Sequence, residues 1–236
     1  MRLTAIVPLS GGVPRALPAL QALAPWRARG HRVVLVEGGS HDDAPAPAVD
    51  AADRIVQAPH GWARQANAGA RTPEAEGADA LVFLSEATCL PPDADRAIAR
   101  ALDNGLGPWG FFDLSLIAPR AGPAAALSLR LARALANAAS ALTGVGMAEQ
   151  AIFCTRAAFL ALDGFRASED PPDIGFCLRA RLLGRPALLR ERVGVPCSES
   201  GAMAILARAA RRECWRAALA MDLRWQPRRD PRWTAR

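Results

Sequence analysis

The residues best equipped for chemistry gather in four short segments, each following an apolar run. They are Ser10-Gly11-Gly12, Glu37-Gly38-Gly39-Ser40-His41-Asp42, His60-Gly61-Trp62-Ala63-Arg64-Gln65-Ala66-Asn67 and Ser85-Glu86-Ala87-Thr88. Arg64 is a planar, permanently charged donor suited to a phosphate oxygen or a base. Asn67 lies three residues on, hence on the same face of a helix. The backbone N–H groups at the start of that helix suit an anion. Gly38 and Gly39 point to a tight turn with positive φ. Each residue also fits plain structural work. Glu37 suits a solvated turn, Arg64 a surface arginine, and Asp173 a helix-start cap.

Composition removes several chemistries. The chain has 236 residues, 29 basic and 23 acidic, and a net charge of +6. Every basic residue other than histidine is Arg, and there is no Lys. That excludes a lysine Schiff base, the usual pyridoxal-phosphate chemistry and a Walker A lysine. The cysteines stand at 89, 154, 177, 197 and 214, odd in number and with no CxxC pair. A zinc cluster or disulfide framework is therefore not expected, and a reducing compartment fits. His31, His41 and His60 are too scattered for a His-rich metal site. The Arg excess is spread along the chain, aromatics are 6 % and no nucleic-acid motif occurs, so no nucleic-acid partner is expected. The apolar run Leu3–Leu9 is short for a signal peptide, and region 121–147 is broken by Arg130, Arg133 and Asn137. No segment reaches the roughly 18–20 apolar residues of a membrane span, so the expected location is cytoplasmic.

The elements that must position these residues alternate. Leu3–Leu9, Arg32–Val36, Arg54–Gln57 and Ala80–Leu84 read as strands. Between and after them, Pro14–Arg29, Gly61–Ala70 and Pro91–Leu102 read as helices, with Pro45–Asp53 a short helix or loop. The second half reads as strand Trp109–Ile117, helix Pro123–Leu142, strand Gln150–Thr155, helical turn Arg156–Leu162, helix Asp173–Leu183, and one or two strands in Ala187–Val195. Gly201–Trp225 reads as a final helix before a Pro/Arg-rich tail. Strands alternating with helices imply an α/β fold with a mostly parallel central sheet flanked by helices. In such sheets ligands bind at the carboxyl ends of the strands, where the strand order switches.

The ordered segments resemble family 2 glycosyltransferases of the GT-A fold (nucleotide-diphospho-sugar transferase-like), most of all a small bacterial subfamily often found near radical-SAM genes. The likeness covers about residues 2–200. IVPL is similar to the family's first strand, and VVLVEGGSHDD to its second strand and V-D-G-G-S-x-D turn. GWARQANAGA resembles G-R-A-R-Q-M-N-A-G-A, and LVFLSEATCLPP resembles L-F-L-H-A-D-T-x-L-P-P. GMAEQAIFCTRAAFLALDGF resembles G-D-Q-G-x-F-x-R-R-x-F-x-x-x-G-G-F, and PDIGFCLRARLLGR resembles E-D-x-E-L-x-x-R-L-R-R-L-G-R.

The resemblance implies a GT-A domain over 1–200, with a nucleotide-binding half (1–105) and an acceptor half (106–200), followed by a helix and tail (201–236). It implies transfer of a sugar from a nucleotide-diphosphate donor to an acceptor, with inversion. Pro8, Glu37, Gly39, Asp42, Arg64 and Asn67 would bind the nucleotide; Glu37 stands where the family's Asp accepts a hydrogen bond from the base. Glu149 and Gln150 would touch acceptor or sugar hydroxyls. Asp173, in the place of the family's acidic pair, would take the acceptor's proton. A divalent metal (Mn2+ or Mg2+) would neutralise the diphosphate. Aligning Leu84 and Thr88, however, puts Ala87 at the metal-binding Asp, so Glu86, shifted by one residue, becomes the metal candidate.

Two other readings follow from the same residues. Ala87, Pro172 and Ala148 replace an Asp, an acidic residue and a Gly of the family pattern, which fits a catalytically silent GT-A domain that binds a ligand or partner. A nucleotidyltransferase comes third, on the weak likeness of Ser10–Arg15 to a Gly-rich loop with basic residues. At the C-terminus, Arg208, Arg212 and Arg216 repeat at four-residue steps, with Trp215, Leu219 and Leu223 on another face. That pattern suits either peripheral contact with the inner membrane or packing on the domain itself.

Overall fold

The computed structural model describes residues 1–9, 13–39, 50–105, 107–118 and 122–196. The expected C-terminal helix, residue Asp42 and most of Pro45–Asp53 lie outside these residues.

One seven-stranded sheet organises them, in the order β3-β2-β1-β4-β6-β5-β7. The strands are β1 (Leu3–Leu9), β2 (Arg32–Glu37), β3 (Arg54–Gln57), β4 (Ala80–Phe83), β5 (Trp109–Ile117), β6 (Ile152–Thr155) and β7 (Ala187–Pro196). β1 pairs in parallel with β2 and β4, β2 with β3, and β5 with β7. β6 alone is reversed, antiparallel to β4 and β5. The helices are α1 (Val13–Ala22), α2 (Ala24–Ala28), α3 (Trp62–Gly69), α4 (Pro73–Glu76), α5 (Ala94–Asp103), α6 (Pro123–Thr143), α7 (Arg156–Ala161) and α8 (Pro172–Ala180). The mostly parallel α/β sheet is the one expected.

The uninterrupted apolar run of β1 reflects burial on both faces. Leu3, Ala5, Val7 and Leu9 point into one core with Leu20 of α1, Trp26 of α2 and Ile98 of α5. Ile6 points into the other, with Ala66 of α3, Phe159 of α7 and Phe176 of α8. Adjacent side chains of a strand face opposite ways, so one run feeds two layers. Aromatic rings lock the second layer: Phe165 meets Phe176 at 4.5 Å, Trp62 at 4.6 Å and Phe83 at 4.8 Å between centroids.

Several boundaries depart from the expected ones. The single helix expected over Pro14–Arg29 is two, because Pro25 has no N–H for a continuous ladder and instead opens α2. β6 begins at Ile152 rather than Gln150. Ala148–Gln150 forms a 3-10 turn, and Ala151 follows with φ of 51°. β7 is one strand with a register shift: Leu189 pairs with Phe112, and Arg192 with Asp113. α5 starts at Ala94, three residues after Pro91, and α8 ends at Ala180.

Candidate active site

The strand order reverses between β1 and β4, and the carboxyl ends of these two parallel strands lie at one edge of the sheet. On the β1 side, Leu9, Glu37 and Gln57 stand in register across β1, β2 and β3. Glu37 is buried and its carboxylate accepts a hydrogen bond from Gln57 Nε2. The chain then turns through Gly38 and Gly39. Gly39 has φ of 87°, a conformation that favours glycine, as expected. Gly38 does not have positive φ. It is needed for space, since a Cβ there would meet Gln65 Nε2 at 3.1 Å, His60 Nδ1 at 3.2 Å and the Leu9 carbonyl at 3.3 Å.

Pro8 is buried within β1 opposite Val36. The Ile6 carbonyl accepts from Leu84 N, so Ile6 faces β4, and Pro8 faces the same way two residues later, past the last β1–β4 pair. Its missing N–H therefore costs no ladder bond.

Helix α3 is clipped to this edge by Gln65. Its Nε2 donates to the carbonyls of Leu9 (2.7 Å) and Val36 (2.9 Å), tying the ends of β1 and β2 to one side chain. Trp62 Nε1 reaches the Leu84 carbonyl at 3.4 Å, so the same helix also spans to β4. Arg64 is exposed on the lip, with Nη1 3.4 Å from the His60 carbonyl. Asn67 is used differently from the expectation. Its Nδ2 donates to the Phe165 carbonyl (2.7 Å) and its Oδ1 accepts from Phe165 N (3.0 Å). Both amide atoms are spent on holding the loop before α8, so Asn67 works as a brace. Sequence reasoning placed Gln65 inside a ligand-contacting string but did not single it out. Its signal was a long amide between two buried alanines, Ala63 and Ala66.

On the β4 side, the chain passes through Ser85-Glu86-Ala87-Thr88. Ser85 Oγ and Thr88 Oγ1 lie 2.6 Å apart, closing the turn. Glu86 is 8 % exposed, and its Oε1 lies 3.3 Å from Nε of Arg15 on α1. Thr88 Oγ1 approaches the Glu149 carbonyl at 3.5 Å, which links this turn to the 3-10 turn Ala148–Gln150.

That second turn is held from below. Gln150 is fully buried; its Oε1 accepts from Ser140 Oγ (2.8 Å) and Met147 N (3.1 Å), and its Nε2 donates to the Phe112 carbonyl (3.1 Å). Those bonds replace the acceptor contact expected of Gln150: it builds the turn that presents Glu149. Asp173, in the first turn of α8, is 1 % exposed. Its Oδ2 accepts from Ala148 N at 2.8 Å and its Oδ1 from Ile174 N at 3.0 Å. Beside it, the Cys177 thiol is pushed well above its ordinary pKa, by burial first and by the Asp173 charge next. It stays a neutral thiol. Glu169, upstream of α8, is engaged by Arg179 at 2.9 Å. Among the described residues, the structure thus brings Glu37, Glu86, Glu149 and Asp173 to one linked set of turns.

The metal expectation does not fit these residues. Among the described residues no group of three or more His, Cys, Asp or Glu side chains is placed to hold a metal ion. Ala87 offers no donor, and Glu86 faces a guanidinium. Also among the described residues, no helix is long and apolar enough to cross a membrane.

No protein-family model matches the chain, and no curated protein matches by sequence. Solved structures do match. The TarS 1-349 structure from S. aureus is 14 % identical, with a TM-score of 0.62 over 90 % of this chain and 72 % of that one. A mannosyltransferase from Pyrobaculum calidifontis, in complex with GDP-Man and Mn2+, is 16 % identical, with a TM-score of 0.67 over 95 % of this chain and 65 % of that one. Glucosyl-3-phosphoglycerate synthase from Mycobacterium tuberculosis, with Mn2+, UDP-glucose and phosphoglyceric acid, is 14 % identical, with a TM-score of 0.55 over 88 % and 79 %. The chain has the fold of GT-A glycosyltransferases.

Proposed function

We propose that this protein transfers a glycosyl group from a nucleotide-diphosphate sugar to a hydroxyl acceptor. The observation that carries the reading is the linkage, at the strand-order switch of a GT-A fold, of the β1–β3 end carrying Glu37 with the turns carrying Glu149 and Asp173, through the contacts of Gln65, Trp62 and Thr88. The motif order described above resembles that of the family 2 enzymes, and inversion is what that resemblance implies.

In this reading the base and ribose lie over the ends of β1 and β2. Glu37 accepts from the base, and the Gly38-Gly39 turn lets the nucleotide approach the backbone. Arg64 donates to the diphosphate from the lip of α3. Glu149, presented by the turn that Gln150 supports, meets acceptor or sugar hydroxyls. Asp173, aimed by the N–H groups of Ala148 and Ile174, takes the acceptor's proton. The acceptor oxygen forms a bond to the anomeric carbon. The bond from that carbon to the diphosphate oxygen breaks, and its electron pair leaves with the diphosphate.

The test is nucleoside-diphosphate release from UDP-glucose, UDP-GlcNAc and GDP-mannose by the full chain, with a pool of sugar and lipid alcohols as acceptors. At least one donor is expected to turn over. Asp173→Asn is expected to reduce turnover about 100-fold or more while the donor still binds. A protein that binds none of these donors would overturn the reading. A binding-only domain is the second reading, favoured by the near-complete burial of Asp173. It predicts donor binding without turnover in wild type.

A further inference from the structure

Resting on that reading, we propose that Arg15, anchored by Glu86, is the cationic contact of the donor's diphosphate and stands in place of a divalent metal. Arg15 lies near the start of α1, the helix that follows β1, and Glu86 lies just beyond β4. β1 and β4 are neighbours, and the strand order reverses between them. The ion pair therefore sits at the crevice where a ligand of such a sheet binds.

The second observation is asymmetry. The Glu86 side chain is 9 % exposed, whereas that of Arg15 is 67 % exposed. The buried partner fixes the pair, and the exposed one presents a cation to the crevice. Their contact runs through Nε of Arg15. A guanidinium carries donors on its other two nitrogens as well, in a planar fork that matches phosphate oxygens.

Charge accounting gives the third step. A carboxylate at the end of β4 serves a diphosphate site only if a cation lies between it and the phosphates, since alone it repels them. In a metal-dependent site that cation is the metal. Here the described residues supply no cluster of metal ligands, and among them Arg15 is a cation paired with Glu86. Arg64 approaches the same edge from the opposite layer, because α1 packs with the core on one side of the sheet and α3 with the core on the other. Two guanidiniums thus flank the edge from both faces. Both remain charged at any working pH, and neither needs deprotonation to act.

The experiment is calorimetric titration of the full chain with UDP and GDP, and with uridine and guanosine, each in EDTA and in Mn2+. Diphosphate binding is expected to persist in EDTA with affinity changed less than about twofold by Mn2+. Arg15→Gln is expected to weaken the bound diphosphate about tenfold while leaving the nucleoside affinity unchanged. Arg15→Lys is expected to restore part of the loss, since it keeps the charge but not the fork. Glu86→Gln is expected to weaken the diphosphate less than Arg15→Gln does. Binding that requires Mn2+, or Arg15→Gln binding UDP and GDP as wild type does, would overturn the proposal and leave the transferase reading standing. Failure of both diphosphates and both nucleosides to bind would overturn the transferase reading itself.

Discussion

Asn67 shows how far a side chain's type constrains its use. Its amide pairs with both backbone groups of Phe165, ninety-eight residues away in sequence. Asn67→Ala would leave that N–H and carbonyl without these partners, and the expected loss is about 1–3 kcal/mol of stability. Urea unfolding followed by circular dichroism reads it as a lower midpoint. The sequence shows an Arg and an Asn on one helix face, and the two fare differently. Arg64 is at the surface, while Asn67 is committed to the protein. Gln150 is committed in the same way as Asn67. Spacing reveals that neighbours share a turn; it does not reveal which of them has its bonding capacity satisfied from within, because those partners (Phe112, Ser140, Phe165) come from distant parts of the chain. Arg15 was hidden for a related reason, since its partner follows a strand formed seventy residues later.

Elements were more legible than roles. β1, β3 and β5 span the residues expected, and β1 is the plainest because a strand buried on both faces is written as a continuous apolar stretch. Helices were legible in kind, and their ends shifted where proline or a committed side chain intervened. Helix α3 packs close against the sheet at Gly69, and glycine permits it. A Cβ on Gly69 would stand 2.5 Å from Ile6 Cγ2 and 3.0 Å from Val36 Cγ2. Gly69→Ala gains helix propensity but forces α3 off the sheet, and overpacking of this kind costs about 1–3 kcal/mol. The expected outcome is net destabilisation in thermal unfolding, with weakened UDP or GDP binding, because Gln65 on the same helix ties the ends of β1 and β2. An increase in the melting temperature would contradict this packing.

At the scale of the molecule, two carboxylates brace elements away from the site. Asp53 meets Arg27 at 3.2 Å, Arg32 at 3.0 Å and the Val33 N–H at 2.8 Å. Asp95 meets Arg29 at 2.6 Å and His31 at 3.1 Å. Burial opposes ionisation of both, but these donors, with the Arg96 N–H for Asp95, outweigh it and hold each carboxyl below its ordinary pKa. A pKa lower in the folded than in the unfolded chain stabilises fully above the unfolded value, about 3.9 for Asp, and is lost as pH falls through the folded value. The urea midpoint is therefore expected to fall between about pH 5 and pH 3, and Asp95→Asn is expected to flatten that slope.

The reversal of β6 has a consequence for how the chain can be divided. The described residues of 1–105 hold four parallel strands with β3 and β4 outermost, and β4 is completely buried in the intact sheet. Its open side is closed only by β6, which arrives from the later half of the chain. Cut before β5, the front portion would present an apolar strand with unpaired backbone groups, a template for pairing with other copies of itself. The short reversed strand is thus a guard against aggregation as well as a structural join, and the front portion depends on the later half of the chain for its solubility.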